Sequence, residues 1–258
     1  MGWLYNTIIY APLYNALIYF VAHMPAGDIG LAVVILTIGA RLILSPLSYK
    51  SIKSQIEMKA LAPKIQELQA KYKDDKARLS QETFALYKEH KVNPFSGCLA
   101  VLLQLPIIFA LYKVFINDLS ASADLLYSNL VVPATISYQF LGFFDISEKS
   151  LVLALIAGLA QFAQIRYTMG KANTETNVKA TTTQEVFTQA MTKQMQYVLP
   201  VIAFIFSYTI SAVIALYWAT TAIFSLAQEF IVRQQIEKRR LRKEEIAGIR
   251  DVSAQKVQ

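Results

Sequence analysis

Residues 28–49 read DIGLAVVILTIGARLILSPLSY, and the rest of the chain is organised around this stretch. After Asp28 it is almost entirely apolar and long enough to cross a bilayer, for which about 20 residues suffice. Arg41 nevertheless lies near its middle, where insertion scales put the cost of a guanidinium at roughly 2.5 to 3.5 kcal/mol. Thr37 and Ser45 lie one helical turn before and after it, on the same face. The stretch predicts a membrane span whose polar face lines a water-filled groove with one fixed positive charge.

The overall composition is typical of a membrane protein, because 55% of the residues are hydrophobic. The formal net charge of +7 is concentrated in segments outside the apolar runs. A single cysteine, Cys98, excludes an internal disulfide. No Lys or Arg precedes Arg41, so we do not expect an ordinary signal peptide with a basic start.

The apolar runs predict an all-α integral membrane protein with five transmembrane helices, at residues 29–49, 97–116, 150–166, 197–211 and 213–232. The last two come from one apolar run that is too long for a single span and has to turn near residues 207–212. Basic residues accumulate in residues 50–93 and 233–258. The positive-inside rule places both segments in the cytoplasm, so an even number of spans must separate them. The predicted topology has the N-terminus outside and the C-terminus inside.

The remaining segments have weaker patterns. Residues 50–93 repeat apolar positions at helical spacing on both sides of Asp74–Asp75, which predicts a cytoplasmic hairpin of two helices. Pro63 is expected to open a new helical segment or to kink the first arm, and Asn93–Pro94 to close the second arm. Residues 1–27 are expected to form an interfacial helix on the outer leaflet, with a sixth span as the alternative. Residues 167–196 are expected to be a cytoplasmic loop.

No pattern in the sequence indicates catalysis. His23 and His90 lie on opposite sides of the predicted membrane, and no nucleotide-binding, hydrolase or zinc motif occurs. We therefore expect no enzyme, no metal and no cofactor. The sequence instead places polar side chains at membrane depth, and the predicted substrate-binding groove consists of Arg41, Thr37, Ser45, Gln104, Gln161, Gln164, Tyr217, Trp218 and Thr221.

Two alternatives apply to these groove residues. Each hydroxyl or amide could make an interhelical hydrogen bond in a packed bundle, which is worth about 0.6 kcal/mol on average. Arg41 could form a structural ion pair with Glu229, the one acidic residue inside the predicted spans.

Four ordered motifs resemble those of the YidC-type membrane-protein insertases: GARLILSPLSYKS at residues 39–51, APKIQELQAKYKDDKARLSQETFALYKEHKVNPFSGC at 62–98, LLQLPIIFALYKVF at 102–115 and ALYWATTAIFSLAQEFIVR at 215–233. The resemblance covers residues 12–238 and is specific because the motifs occur in order. The chain departs from the family pattern at residues 209–212, where TISA replaces a Pro-Ser-Gly type of turn. The large extracytoplasmic domain of some members is missing, so the chain resembles the compact bacterial form.

The resemblance implies a groove that is open to the cytoplasm and to lipid and closed on the outer side. Arg41 would attract acidic residues in the outer segment of a client helix, which would then move along the third and fifth spans into the bilayer. The implied location is the bacterial cytoplasmic (inner) membrane, as a multi-pass protein. The implied partners are nascent membrane proteins, membrane lipids, a Sec-type translocon and the ribosome.

The ribosome contact is expected at the basic tail, at Lys238, Arg239, Arg240, Arg242 and Lys243. The alternative for this run is a simple anchor on anionic lipid. Two other classes of function compete with insertion: a transporter of small solutes or anions, and a passive membrane assembly factor.

Overall fold

The computed structural model describes residues 2–93, 96–116, 119–169 and 183–255. Within these ranges the chain is mostly helical, and one two-stranded hairpin is a feature that the all-α prediction lacked. The helices are α1 (Gly2–Tyr5), α2 (Ala11–His23), α3 (Ile29–Ile43), α4 (Ser45–Ala60), α5 (Ala62–Lys71), α6 (Lys76–Glu89), α7 (Ser96–Ile116), α8 (Leu151–Met169), α9 (Thr183–Thr209) and α10 (Ala212–Gln255). The strands are β1 (Gln139–Phe140) and β2 (Phe144–Asp145).

Among the described residues, two helices are long and apolar enough to cross a membrane, within Leu151–Thr168 and Ala212–Arg242. Helices α3 and α4 provide a third candidate if they are counted together as one bent span. Shorter apolar helical stretches occur at Gln104–Phe115 and Gln196–Thr209. Length and composition therefore support two or three crossings, while each of the five predicted spans coincides with an apolar helical stretch.

The first predicted span, residues 29–49, is not one continuous helix. Helix α3 ends at Ile43, and α4 begins at Ser45 after a turn at Leu44. Pro46 explains the break, because proline has no N–H to donate to the carbonyl four residues earlier and is favoured in the first turn of a new helix. Residues 45–49 therefore belong to the same helix as the start of the predicted hairpin.

The helices near the C-terminus are longer than predicted. Helix α8 runs to Met169 and α9 begins at Thr183, so the predicted loop at 167–196 is helical at both ends, and its centre, residues 170–182, lies outside the described residues. The break between α9 and α10 at residues 210–211 agrees with the predicted turn. Helix α10 then continues through the predicted tail to Gln255, because its charged residues are good helix formers.

The chain divides into two compact units, which are residues 1–46 with 97–226 and residues 47–96 with 227–258. The first unit contains the apolar core, to which α2, α3, α7, α8 and α10 all contribute buried side chains. In this unit α8 also packs along α9, and α2 packs against α3.

The N-terminal helical segment is tightly packed into this core. Tyr10 and Tyr14 are fully buried, and Asn15 is almost so. The Tyr14 hydroxyl donates to the carbonyl of Leu119, and the Asn15 amide donates to the carbonyl of Leu125. Pro12 lies in the first turn of α2, after a π-helical segment, as a restart of the helix requires.

The second unit contains the predicted helical hairpin. Helix α5 begins after Leu61 with Pro63 in its first turn, and α6 begins after Asp75, whose carboxylate caps it by accepting from the Arg78 N–H. The turn between α5 and α6 is therefore where the sequence predicts it, while Pro94 lies outside the described residues. Neither α5 nor α6 has a buried residue, although the two helices contact each other.

Candidate functional site

A small pocket lies inside the first unit, where α3, α7 and α10 meet, and polar and apolar side chains share its lining. Helix α3 supplies most of its wall, and α7 and α10 close the other sides. Its lining residues are Thr37, Ala40, Arg41, Leu44, Gln104, Ile107 and Tyr217. Four of these, Thr37, Arg41, Gln104 and Tyr217, are predicted groove residues that are far apart in sequence and that the fold brings together.

Arg41 is the charged group of the pocket, and it is half-buried. Its Nη2 donates a hydrogen bond of 2.7 Å to Oε1 of Gln104 on α7. The partner is a neutral amide, so the bond orients the guanidinium without neutralising it. In the described part of the chain Arg41 forms no salt bridge. The arrangement leaves a net positive charge in a site that is partly withdrawn from water.

The hydroxyl groups of the pocket are the second notable feature. The Thr37 hydroxyl donates to the carbonyl of Val33 one turn earlier, at 2.7 Å, and keeps its acceptor capacity. Tyr217 and Thr221 lie one turn apart on α10, and both are buried. Although the two hydroxyls are neighbours, neither makes a hydrogen bond of acceptable geometry to any described residue. Thr221 does not line the pocket, whereas Tyr217 does, and a buried hydroxyl without a protein partner is normally satisfied by water.

The other predicted groove residues do not line the pocket. Gln161 and Gln164 lie on α8 and bind each other, with Nε2 of Gln161 donating to Oε1 of Gln164 at 2.9 Å. Trp218 is half-buried and packs edge-on against Phe206, with 6.4 Å between the ring centroids. Ser45 opens α4 and is engaged in a polar contact.

Sequence reasoning missed the apolar part of the lining, which is Ala40, Leu44 and Ile107. Ala40 precedes Arg41 on α3, Leu44 precedes Ser45 in the turn between α3 and α4, and Ile107 lies one turn after Gln104. Only these spacings could have indicated them, because apolar residues inside a predicted span carry no signal of their own.

Glu229, the alternative partner that the sequence offered for Arg41, is engaged by another arginine in the second unit. Its Oε1 accepts from Arg233 Nε at 2.9 Å and from Nη2 at 2.6 Å. Lys59 of α4 lies near this pair. Burial lowers the pKa of Lys59, the neighbouring Arg233 lowers it further, and Glu229 raises it. The three residues form a compact cluster of two bases and one acid, which we call the α4–α10 charge cluster.

The predicted ribosome or lipid contact lies on the second half of α10. Lys238, Arg239, Arg240 and Arg242 have exposed side chains, and that of Lys243 lies outside what the structure describes. Arg239 Nη1 donates to the hydroxyl of Tyr49 on α4 at 3.4 Å. Lys238 and Arg242 are therefore exposed, while Arg239 and Arg240 are engaged within the protein.

The site contains no residue set for metal binding. Among the described residues, no group of three or more His, Cys, Asp or Glu side chains could hold a metal ion.

Comparison with known proteins gives a consistent result. The family model described as "60Kd inner membrane protein" matches residues 20–239. The chain is 31% identical over 229 residues to the membrane protein insertase YidC of Fusobacterium nucleatum, covering 86% of this chain and 98% of that protein. It is 32% identical to the membrane protein insertase MisCA of Bacillus subtilis over 225 residues, which are 85% of this chain and 76% of that one. It is also 32% identical over 214 residues to YidC of Clostridium tetani, covering 83% and 86% of the two chains.

Proposed function

The chain belongs to the 60Kd inner membrane protein family of YidC-type insertases, and we propose that it captures its clients at the pocket around Arg41. It is an inner-membrane insertase whose clients are membrane proteins, and it is not an enzyme. The observation that carries the proposal is the pairing of the half-buried Arg41 with the neutral amide of Gln104.

The physical problem of insertion is the transfer of a polar segment through lipid. Backbone groups and charges that lose water without finding a partner are strongly unfavourable in hydrocarbon. A hydrated pocket inside the bilayer shortens the dry part of the path. An uncompensated guanidinium in that pocket attracts an acidic residue of the client, and its bond to Gln104 keeps the guanidinium oriented while the site is empty.

The pocket also explains why capture is reversible. The attraction between unit charges about 4 Å apart is roughly 4 kcal/mol at an effective dielectric constant of about 20, and water weakens it further. The hydroxyl of Tyr217 in the pocket wall has no protein partner, so it offers the client a polar contact that water can replace. A client is therefore attracted without being held, and its apolar helix gains free energy by leaving the pocket for lipid.

The proposed topology has five transmembrane helices around this hydrophilic groove, with the N-terminus outside and the C-terminus inside. The N-terminal helix lies at the outer leaflet, α5 and α6 form a cytoplasmic hairpin, and the end of α10 extends into the cytoplasm. The positions of the basic residues support this arrangement. The exposed run from Lys238 to Arg242 supports a ribosome contact, and a Sec-type translocon is a further candidate partner.

Site-specific photocrosslinking to nascent clients tests the capture step. A photoreactive amino acid replaces Ile107 in the pocket, and the matched control replaces Phe109, which is 59% exposed on another face of α7. Ribosome-bound clients of increasing length are then presented to membranes containing each variant.

We expect the Ile107 variant to crosslink the outer segment of the client at intermediate lengths and to lose that contact once insertion is complete. The Phe109 variant should instead crosslink the apolar helix of the client or lipid. A pocket that serves a small solute would give no client crosslink at Ile107. A passive assembly factor would crosslink finished clients only, and either result would contradict the proposal.

A further inference from the structure

The turn between β1 and β2 carries large apolar side chains on its outside. Phe143 is 85% exposed and Leu141 is 53% exposed, and the neighbouring Phe144 is also exposed. Turns that face water are normally built from small and polar residues, so these exposed apolar side chains require an explanation other than contact with water. Gly142, with φ of +75°, provides the positive φ that the turn needs.

This turn is fixed to the beginning of α3 by several hydrogen bonds. The Asp28 carboxylate accepts from the backbone N–H of Leu31 at 3.0 Å and from that of Leu141 at 2.9 Å. Ile29 N donates to the carbonyl of Ser137, and Ser137 N donates to the carbonyl of Gly27. One buried aspartate therefore caps α3 and holds the turn at the same level.

A close packing contact supports the same position. A Cβ added at Gly30 would lie 2.5 Å from the ring of Phe140, so the strand can approach α3 only because residue 30 is glycine. The turn is consequently held beside the first helical turn of α3, which follows Asp28 and begins the apolar run.

The sequence around the turn has no charge. No charged residue occurs between Asp124 and Asp145. An uncharged stretch of this length is unusual in a connecting segment that contacts only water. Trp and Tyr are enriched where a membrane meets water, and Phe and Leu form the apolar face of segments that lie in that interface. The level at which α3 begins is that boundary in the proposed topology.

We propose that residues 141–144 form a membrane anchor that inserts Leu141, Phe143 and Phe144 into the headgroup region of the outer leaflet. The partner is the lipid surface itself. The anchor fixes the connection between α7 and α8 against the bilayer and, through Asp28, holds the start of α3. The inference depends on α3 crossing the membrane, which is part of the proposed topology.

Fluorescence depth measurements test this anchor in lipid vesicles. Cys98 is the only cysteine, so a Cys98→Ser protein accepts a single new label. An environment-sensitive NBD label is placed at Phe143→Cys in the turn, at Glu148→Cys as an exposed control in the same connection, and at Ile38→Cys inside α3. The full-length protein is reconstituted with lipids carrying a doxyl quencher at a shallow or a deep acyl position, and iodide is the aqueous quencher.

At position 143 we expect blue-shifted emission, stronger quenching by the shallow doxyl than by the deep one, and several-fold weaker iodide quenching than at position 148. Equal iodide quenching at 143 and 148, with no effect of doxyl lipid, would overturn the proposal. Protection from both quenchers would also overturn it and would indicate a second copy of the chain over the turn. Deep doxyl quenching at position 38 shows that α3 is in the membrane, so a failed anchor is distinguishable from a failed topology.

Discussion

Arg41 and Gln104 form a hydrogen bond between a charged donor and a neutral acceptor, and the identity of that acceptor sets the charge of the pocket. A carboxylate in place of the amide would keep the geometry and remove the net charge. A leucine in its place would keep the charge and remove the hydrogen bond. These two substitutions separate the contribution of charge from that of orientation.

We therefore expect Gln104→Glu to lower insertion of clients with acidic outer segments at least several-fold, and Gln104→Leu to lower it less. The reason is that the carboxylate introduced by Gln104→Glu would compete with the client for the Arg41 guanidinium. The measurement is protease protection of newly synthesised clients in vesicles containing each variant. An equal loss in both variants, with thermal stability unchanged, would mean that the amide itself, and not the charge, is required.

The α4–α10 charge cluster gives a prediction with a defined pH dependence. Burial and Arg233 lower the pKa of Lys59 while Glu229 raises it, so Glu229→Gln should lower this pKa further. A larger fraction of Lys59 is then neutral at mildly alkaline pH and reacts faster with an acylating reagent. The pKa of Lys59 is lower in the folded protein than in the unfolded chain, so the folded state loses stability as the pH falls below the unfolded pKa and the lysine takes up a proton. The Glu229→Gln variant has the lower folded pKa and should therefore lose more stability in that pH range.

Peptide-resolved mass spectrometry of acylation against pH measures this shift. Glu237→Gln is the matched control, since Glu237 is exposed on the same helix two turns from Glu229. A Lys59 profile that is identical in the wild-type protein and the Glu229→Gln variant would show that the cluster does not control this lysine.

At the scale of single elements, α5 and α6 differ from the helices of the first unit because they contain no buried residue. Helices with few buried contacts open at low free energy and exchange their amide hydrogens quickly. We expect residues 62–89 to exchange at least tenfold faster than α3 and α8 in the membrane-embedded protein. Hydrogen exchange with peptide resolution measures this directly, and protection equal to that of α8 would contradict a mobile hairpin.

The sequence predicted element breaks best where a residue forbids helix continuation or caps a new helix. Pro63 and Asp75 mark the starts of α5 and α6 in both the pattern and the structure. The same reasoning would have ended α3 before Pro46, but the apolar run continued past it and hid the break. The sequence did not predict where α9 begins or where α10 ends. Hydrophobicity marks the residues that cross the membrane, and a helix can continue beyond them.

The site was predicted in part for a comparable reason. Arg41 and Gln104 are conspicuous because polar groups are unfavourable inside an apolar span. The same signal drew attention to Gln161 and Gln164, which bind each other, because composition cannot show where a side chain finds its partner. The β1–β2 turn had no signal beyond its lack of charge, since strands of two residues are too short for an alternating pattern.

At the scale of the whole molecule, the proposed ribosome contact depends on α10 continuing as a helix beyond the apolar core. Neutralising two exposed bases by Lys238→Gln and Arg242→Gln should weaken co-sedimentation with ribosomes and give a shallower dependence on salt, because fewer phosphate contacts release fewer ions. Arg239 is retained because it binds Tyr49, and Arg240 because it too is engaged within the protein. Unchanged association over a salt series, with topology intact, would leave this run as a lipid anchor and favour the α5–α6 hairpin as the ribosome contact.

The charge of Arg41 is proposed to attract an acidic residue of the client, and a charge-pairing cycle tests that claim. Insertion into proteoliposomes is measured for one single-span client with Asp in its outer segment and for the same client with Asn there. Each is tested with wild-type protein, with Arg41→Gln and with Arg41→Lys. We expect Arg41→Gln to reduce insertion of the Asp client to the level of the Asn client and to change insertion of the Asn client little. We expect Arg41→Lys to retain most of the insertion of the Asp client. Equal losses for both clients in a correctly folded Arg41→Gln protein, or no loss for either, would contradict the claim.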